Sequence, residues 1–347
     1  MQGLLTLGRS VGFRLSLACV ATLVFASFAL AQSPDDVHVV PRQKPKTEPS
    51  AVDVAPIRGL PTPESDTKPF RVKVDLVLVP VTVTDSMNRP VTTLQKQDFA
   101  LYEGGKSQEI RYFFKDEAPL SIAVLLDVSK SMTNKIETER AALEDFFNNG
   151  NPEDEYFAIT FSDRPRLVAS STSSIEEIER QLLLAEPGGP TAMLDAIYLA
   201  EAQLRTAKYK RRAIVIFSDG GDNVSHYTHR EIKDLVREGD VEVYAIGLFE
   251  TFFFGTFGTV EEKLGKKWLS DITDCTGGRT VTVEKQAKVP EAAAAVSREM
   301  RNQYVLGYRP TIRGDGTRRK IKVRVASSAA RQPLHAFYKT EYLSAEK

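Results

Sequence analysis

Ile122-Ala123-Val124-Leu125-Leu126-Asp127-Val128-Ser129-Lys130-Ser131 is a run of five apolar residues that opens into a loop of oxygen side chains. A continuous apolar run of this length suits a strand buried on both faces, as in a parallel sheet. Comparable runs recur at 157–161, 213–217 and 241–248. Helical patterns lie between them at 133–147, 174–185, 192–204, 229–238 and 260–273, followed by a strand at 279–283 and a last helix near 290–302. This alternation predicts an α/β domain over 119–303, doubly wound and Rossmann-like, with a mostly parallel sheet and helices on both faces.

The oxygen loop matters because open α/β sheets bind ligands at the C-terminal ends of their strands. Asp127, Ser129 and Ser131 stand at that end of the first strand. Gly188-Gly189-Pro190-Thr191 precedes a predicted helix, and Phe217-Ser218-Asp219-Gly220 ends another buried run. If the three loops converge, they offer two carboxylates and three hydroxyls and no soft ligand. Such a set suits Mg²⁺, with Mn²⁺ or Ca²⁺ as alternatives. Helix capping accounts separately for Ser131 and Thr191. It does not account for Asp127 and Asp219 together, which would repel if buried side by side without a cation. Asp222 and Asn223 follow closely enough to support the site from behind, or to form a polar turn.

The three elements resemble the metal-ion-dependent adhesion site of von Willebrand factor type A domains. Asp127, Ser129 and Ser131 match the Asp-x-Ser-x-Ser loop, Thr191 the lone threonine and Asp219 the final aspartate. The resemblance implies that the serines and Thr191 coordinate a metal directly or through water, and that the aspartates do so according to conformational state. It also implies that an Asp or Glu of a protein partner completes the metal shell. The stretch 269–279 is similar to the late helix-to-strand passage of the family. Over 70–342 the order of segments resembles the VWFA-related proteins of acidobacterial type, which implies export and names no ligand.

Two sets of β patterns flank the α/β region. The first, in 70–118, has alternating valines around Val77–Val83, with Pro80 suggesting an edge, and further strands near 99–103 and 108–114. The second, in 304–347, includes Lys320-Ile321-Lys322-Val323-Arg324-Val325, apolar on one face and basic on the other. Neither set closes a core alone, so the expectation is one shared β-sandwich; the alternative is two separate units. Residues 32–69 read as a disordered linker, since 33–68 hold 7 of the 18 prolines. Residues 1–31 read as a signal peptide: Arg9 and Arg14 precede an apolar run ending in Ala29-Leu30-Ala31. An uncleaved anchor, or lipid attachment at Cys19, are the competing readings. Cleavage leaves Cys275 as a single cysteine, unable to form an internal disulfide and expected as buried filler.

The whole chain balances 46 Lys and Arg against 46 Asp and Glu. That excludes the basic excess of a nucleic-acid binder, and no span is expected in the mature chain. His226 and His229 lack a third ligand for zinc. Four bases in 208–212 read as a solvated loop. Phe252, Phe253, Phe254 and Phe257 follow a buried strand and should rise beside the metal loops, as a partner-docking rim, a loop folded over a helix or a dimer contact. The expectation is a periplasmic or secreted adhesion-type module that binds a protein presenting an acidic residue, in an unassigned oligomeric state. It is not expected to be an enzyme: no nucleophile elbow, phosphate loop or candidate base accompanies the metal loops. A structural envelope component acting through the sandwich is the rival reading, and a Mg²⁺-dependent hydrolase a weaker one.

Overall fold

The computed structural model describes residues 76–248, 260–283, 285–311, 315–326 and 333–344. The proposed leader (1–31), the linker (32–69), the first residues of the 70–118 segment and Phe252, Phe253, Phe254 and Phe257 lie outside the described residues. The chain begins with β1 (Val77–Thr84), β2 (Phe99–Glu103), β3 (Lys106–Gln108) and β4 (Tyr112–Asp116). The α/β region runs β5 (Ser121–Asp127), α1 (Ile136–Asn148), β6 (Glu155–Phe161), β7 (Pro165–Thr172), α2 (Ile175–Leu183), α3 (Met193–Leu204) and β8 (Arg212–Ser218). It continues through α4 (His229–Glu238), β9 (Glu242–Gly247), α5 (Val260–Thr276), β10 (Thr280–Thr282) and α6 (Val289–Arg301). Then come β11 (Gln303–Tyr308), β12 (Arg318–Val325), β13 (His335–Tyr338) and β14 (Glu341–Leu343).

The central sheet has the order β10-β9-β8-β5-β6-β7 and is parallel except for β7. β5 is buried along its whole length, and its side chains alternate between two cores. Ile122, Val124 and Leu126 face Leu143 and Phe146 of α1 and Val296 and Met300 of α6. Ala123 and Leu125 face Ile197 and Ala200 of α3, Ile232 of α4 and Leu269 of α5. Period-two alternation thus buries both faces of one strand, which is why the run carries no polar residue. Cys275 is buried in the second core. β7 escapes the sequence reading because only one of its eight residues is buried and its pairing with β6 is interrupted by register shifts.

The flanking strands interleave. β13-β1-β11-β4 forms one four-stranded sheet and β14-β12-β2-β3 another, so each contains strands from both ends of the α/β region. They enclose a third core, in which Val79, Val81 and Val83 of β1 and Leu306 and Tyr308 of β11 meet Leu101 of β2 and Ile321 and Val323 of β12. β1 lies between β13 and β11 and is not an edge strand; β13 pairs only with Val81–Thr84, so Pro80 falls where that side is open and its missing N–H breaks no ladder.

The chain leaves the sandwich from β4 and returns into β11, and those two strands pair, with Asp116 opposite Gln303. Arg211 joins the two passages. Its guanidinium donates to Ala118 O (2.8 Å), Met300 O (2.8 Å) and Gln303 Oε1 (3.0 Å). Arg211 is therefore a junction residue, unlike the solvated loop that 208–212 suggests.

Candidate metal centre

Asp127 ends β5, and the loop after it is tied to its neighbours by backbone bonds. Val128 N–H donates to Phe161 O at the end of β6 (2.9 Å). Gly188 N–H donates to Val128 O (2.9 Å), and Lys130 N–H to Gly189 O (3.0 Å), so the first and second loops are joined. Gly189 has φ +80, a conformation that glycine adopts without a Cβ penalty. The third loop is held by Ser218, the last residue of β8. Its hydroxyl donates to Asp127 Oδ2 (2.6 Å) and accepts from Gly220 N–H (2.9 Å). A Cβ on Gly221 would lie 3.5 Å from Asp219 Oδ1 and 3.7 Å from Thr191 Oγ1, so these two oxygens face the same stretch of backbone. Asp127, Ser129, Ser131, Thr191 and Asp219 thus stand on three mutually bonded loops at one sheet edge.

The hydroxyls are not occupied as helix caps. Ser129 begins the short 3-10 turn Lys130–Met132 without a side-chain cap, the residue before α1 is Lys135, and the residue before α3 is Ala192. Ser129 Oγ and Ser131 Oγ instead lie 3.1 Å apart. Asn223 Oδ1 accepts from Thr191 N–H (2.9 Å) and so positions the threonine. Asp222 Oδ2 accepts from Leu194 N–H (2.8 Å) and Ser225 Oγ (2.6 Å), which places it at the start of α3.

Burial makes the centre electrostatically demanding. Asp127 is 0% exposed and Asp219 5%. Burial, and then the Asp219 charge, pushes the Asp127 carboxyl up to about 6, although Ser129 and Ser218 hydrogen-bond it. A carboxylate pair in this setting calls for a cation. Lys135 supplies one: its Nζ lies 3.1 Å from Asp219 Oδ2, with both side chains buried. One turn later on α1, Glu139 is 0% exposed, and neither carboxyl oxygen has a hydrogen-bond partner. Burial, with the charges of Asp127 and Asp219, holds its carboxyl well above the ordinary range. The Asp127 backbone N–H opposes that rise without meeting hydrogen-bond geometry.

The donor set fits a hard divalent cation: two buried carboxylates, three hydroxyls free of capping duty and a demand for positive charge. No group of three His, Cys, Asp or Glu side chains is arranged to hold a metal among the described residues. His226 Nδ1 instead lies 2.8 Å from Asp195, and His229 stacks on Trp268. Lys135, Glu139 and Ser218 escape the sequence reading. Glu139 left a signal, since it interrupts the apolar stripe of Ile136, Leu143 and Phe146.

A mostly parallel sheet with oxygen loops at its C-terminal edge is an open α/β domain with its candidate ligand site at the strand ends. Residues 122–221 match the family model of the von Willebrand factor type A domain. Solved structures with a similar fold include the proximal thread matrix protein 1 of the mussel byssus, with 19% identity over 57% of this chain and 51% of that one (TM-score 0.46). It has also been solved with a zinc-occupied MIDAS motif. A von Willebrand factor type A protein from Catenulispora acidiphila shares 11% identity over 78% of this chain and 73% of its own (TM-score 0.44). An aerotolerance-related membrane protein from Bacteroides fragilis shares 18% over 53% of this chain and 98% of its own (TM-score 0.42). No curated protein gives a significant match. No helix among the described residues is long and apolar enough to cross a membrane.

Proposed function

We propose that the chain is an exported, metal-dependent protein-binding module. Asp127, Ser129, Ser131, Thr191 and Asp219 hold a divalent cation, with Mg²⁺ favoured because the donors are hard oxygens of low total charge. When bound, the ion supplies a coordination position for a carboxylate oxygen of an Asp or Glu on a partner protein. The observation that carries this reading is the convergence of three uncapped hydroxyls with two buried aspartates on mutually bonded loops. The chain's own groups fix the donors in advance. Ser218 holds Asp127 and the Gly220 backbone, and Asn223 holds Thr191. Such support lowers the ordering cost of binding. The site is read as binding rather than catalytic because the five donors and the residues that bond them include no histidine or cysteine, and His226 on the third loop is held by Asp195.

Affinity capture from secreted and envelope proteins tests the reading, with Mg²⁺ compared against EDTA. Partners should be retained in Mg²⁺ and released by EDTA, and Asp127→Ala with Asp219→Ala should lose them while the fold is kept. Partners retained equally by the folded double variant would favour a role for the sandwich instead.

A further inference from the structure

Lys135 and Glu139 belong to neither the expected ligand set nor an ordinary core. Both face inward from the start of α1, where apolar residues would otherwise pack. The Lys135 side chain is 3% exposed and pairs with Asp219, one of the five candidate ligands. The Glu139 carboxyl is closed off from solvent with both oxygens unpartnered. A buried carboxyl without a partner is costly, and its retention calls for a reason. The two residues are four apart, the spacing at which side chains on one helix face are neighbours, with Cβ atoms about 5–6 Å apart. Lys135 therefore pairs with one buried acid, and a second stands four residues further along the chain on α1.

We propose that Lys135 is a tethered counter-ion that changes partner: when a divalent cation takes Asp219, the Lys135 ammonium transfers to Glu139. The proposal rests on the metal-site reading above. It accounts for both anomalies at once. The ammonium competes with the metal for Asp219, and Glu139 receives the ammonium so that loading the site does not leave a buried charge unpaired. Without Glu139, metal entry would strand the ammonium in the core, which is the expensive outcome for a buried pair. Lys135 and Glu139 are positioning residues that set the affinity of the site, and neither touches the ion.

The test is Mn²⁺ affinity of the full chain, read by electron paramagnetic resonance of free Mn²⁺, with melting temperatures in EDTA as control. Lys135→Met should bind Mn²⁺ about tenfold more tightly, and Glu139→Gln about tenfold more weakly. Glu139→Gln should melt in EDTA no lower than the wild type, because it removes an unpartnered buried acid. The double variant separates transfer from simple charge attraction. Transfer predicts that Glu139→Gln has no effect in the Lys135→Met background. The same tenfold loss in both backgrounds, or no change in affinity in either single variant, would overturn the proposal. Wild-type protein that binds no Mn²⁺ would instead overturn the metal-site reading beneath it. Should Lys135→Met fail to fold, a crystal structure of the Mg²⁺-loaded wild type decides: Lys135 Nζ on Glu139 supports transfer, and Lys135 Nζ still on Asp219 refutes it.

Discussion

At Asp127, a single carboxyl carries the conflict that defines the site. Burial and the neighbouring Asp219 push it up to about 6, against an ordinary value of 3.8. In EDTA the folded state therefore keeps a proton that the unfolded chain releases. Stability from this residue is present at low pH and is lost as pH rises from about 3.8 through about 6, a change on the order of 3 kcal/mol. Asp127→Asn cannot ionise, so in EDTA it should gain stability relative to wild type between pH 4 and pH 7.5. A constant difference in melting temperature over that range would mean an ordinary carboxyl. Saturating Mg²⁺ should reverse the trend for wild type, because the metal competes with the proton for the same oxygens. The five candidate ligands were legible in the sequence because each stands where a buried strand ends or a helix is about to begin. Lys135 was not, because a charged residue before a helix ordinarily reads as solvated and only packing shows that it points inward; Glu139 left no more than its place in the apolar stripe of α1.

Among the elements, α5 has a direct hold on the site. A Cβ on Gly265 would lie 2.1 Å from Gly220 O, and one on Gly220 would lie 2.8 Å from Gly265 C, so the helix backbone presses against the loop that follows Asp219. Gly220 also has φ +80. In an unhindered helix interior, glycine to alanine gains up to about 1 kcal/mol. Gly265→Ala should do the opposite: it should lower the melting temperature and weaken Mn²⁺ binding by pushing α5 off the Asp219 loop. A rise in melting temperature with unchanged binding would show that helix and loop are not coupled. The close approach had no sequence signature beyond an isolated glycine in a helical pattern. The long buried strands and all six helices were readable from periodicity to within a few residues. β7 was not, because only Ala169 of its eight residues is buried.

For the molecule as a whole, the α/β region is an insertion between two paired strands of a sandwich, and its last helix passes into β11 with one intervening residue. Arg279 secures that passage from the side. It pairs with Glu299 of α6 at 2.7 Å, with both side chains buried, and donates to Asn88 Oδ1 beyond β1 (3.2 Å). Burial raises the Glu299 carboxyl, and Arg279 opposes the rise. Arg279→Met leaves Glu299 without its partner and should cost about 3–5 kcal/mol. Denaturant unfolding of that variant should show the loss; a change below 1 kcal/mol would mean that the pair does not secure α6. The interleaving of the flanks was open to argument from sequence, since each set lacked a partner for its apolar face. Which strand pairs with which was not, because register between strands so far apart in the chain depends on the inserted domain bringing Asp116 and Gln303 together.

Function in the proposed reading depends on five oxygen-bearing side chains on three loops forming one divalent-cation site. Titration of the full chain with Mn²⁺, counting bound ions by electron paramagnetic resonance, tests it most directly. One Mn²⁺ should bind per chain and be displaced by Mg²⁺, and Asp127→Ala with Asp219→Ala should abolish that binding while the circular dichroism spectrum is preserved. Mn²⁺ binding that survives in the folded double variant, or its absence from the wild type, would contradict the account.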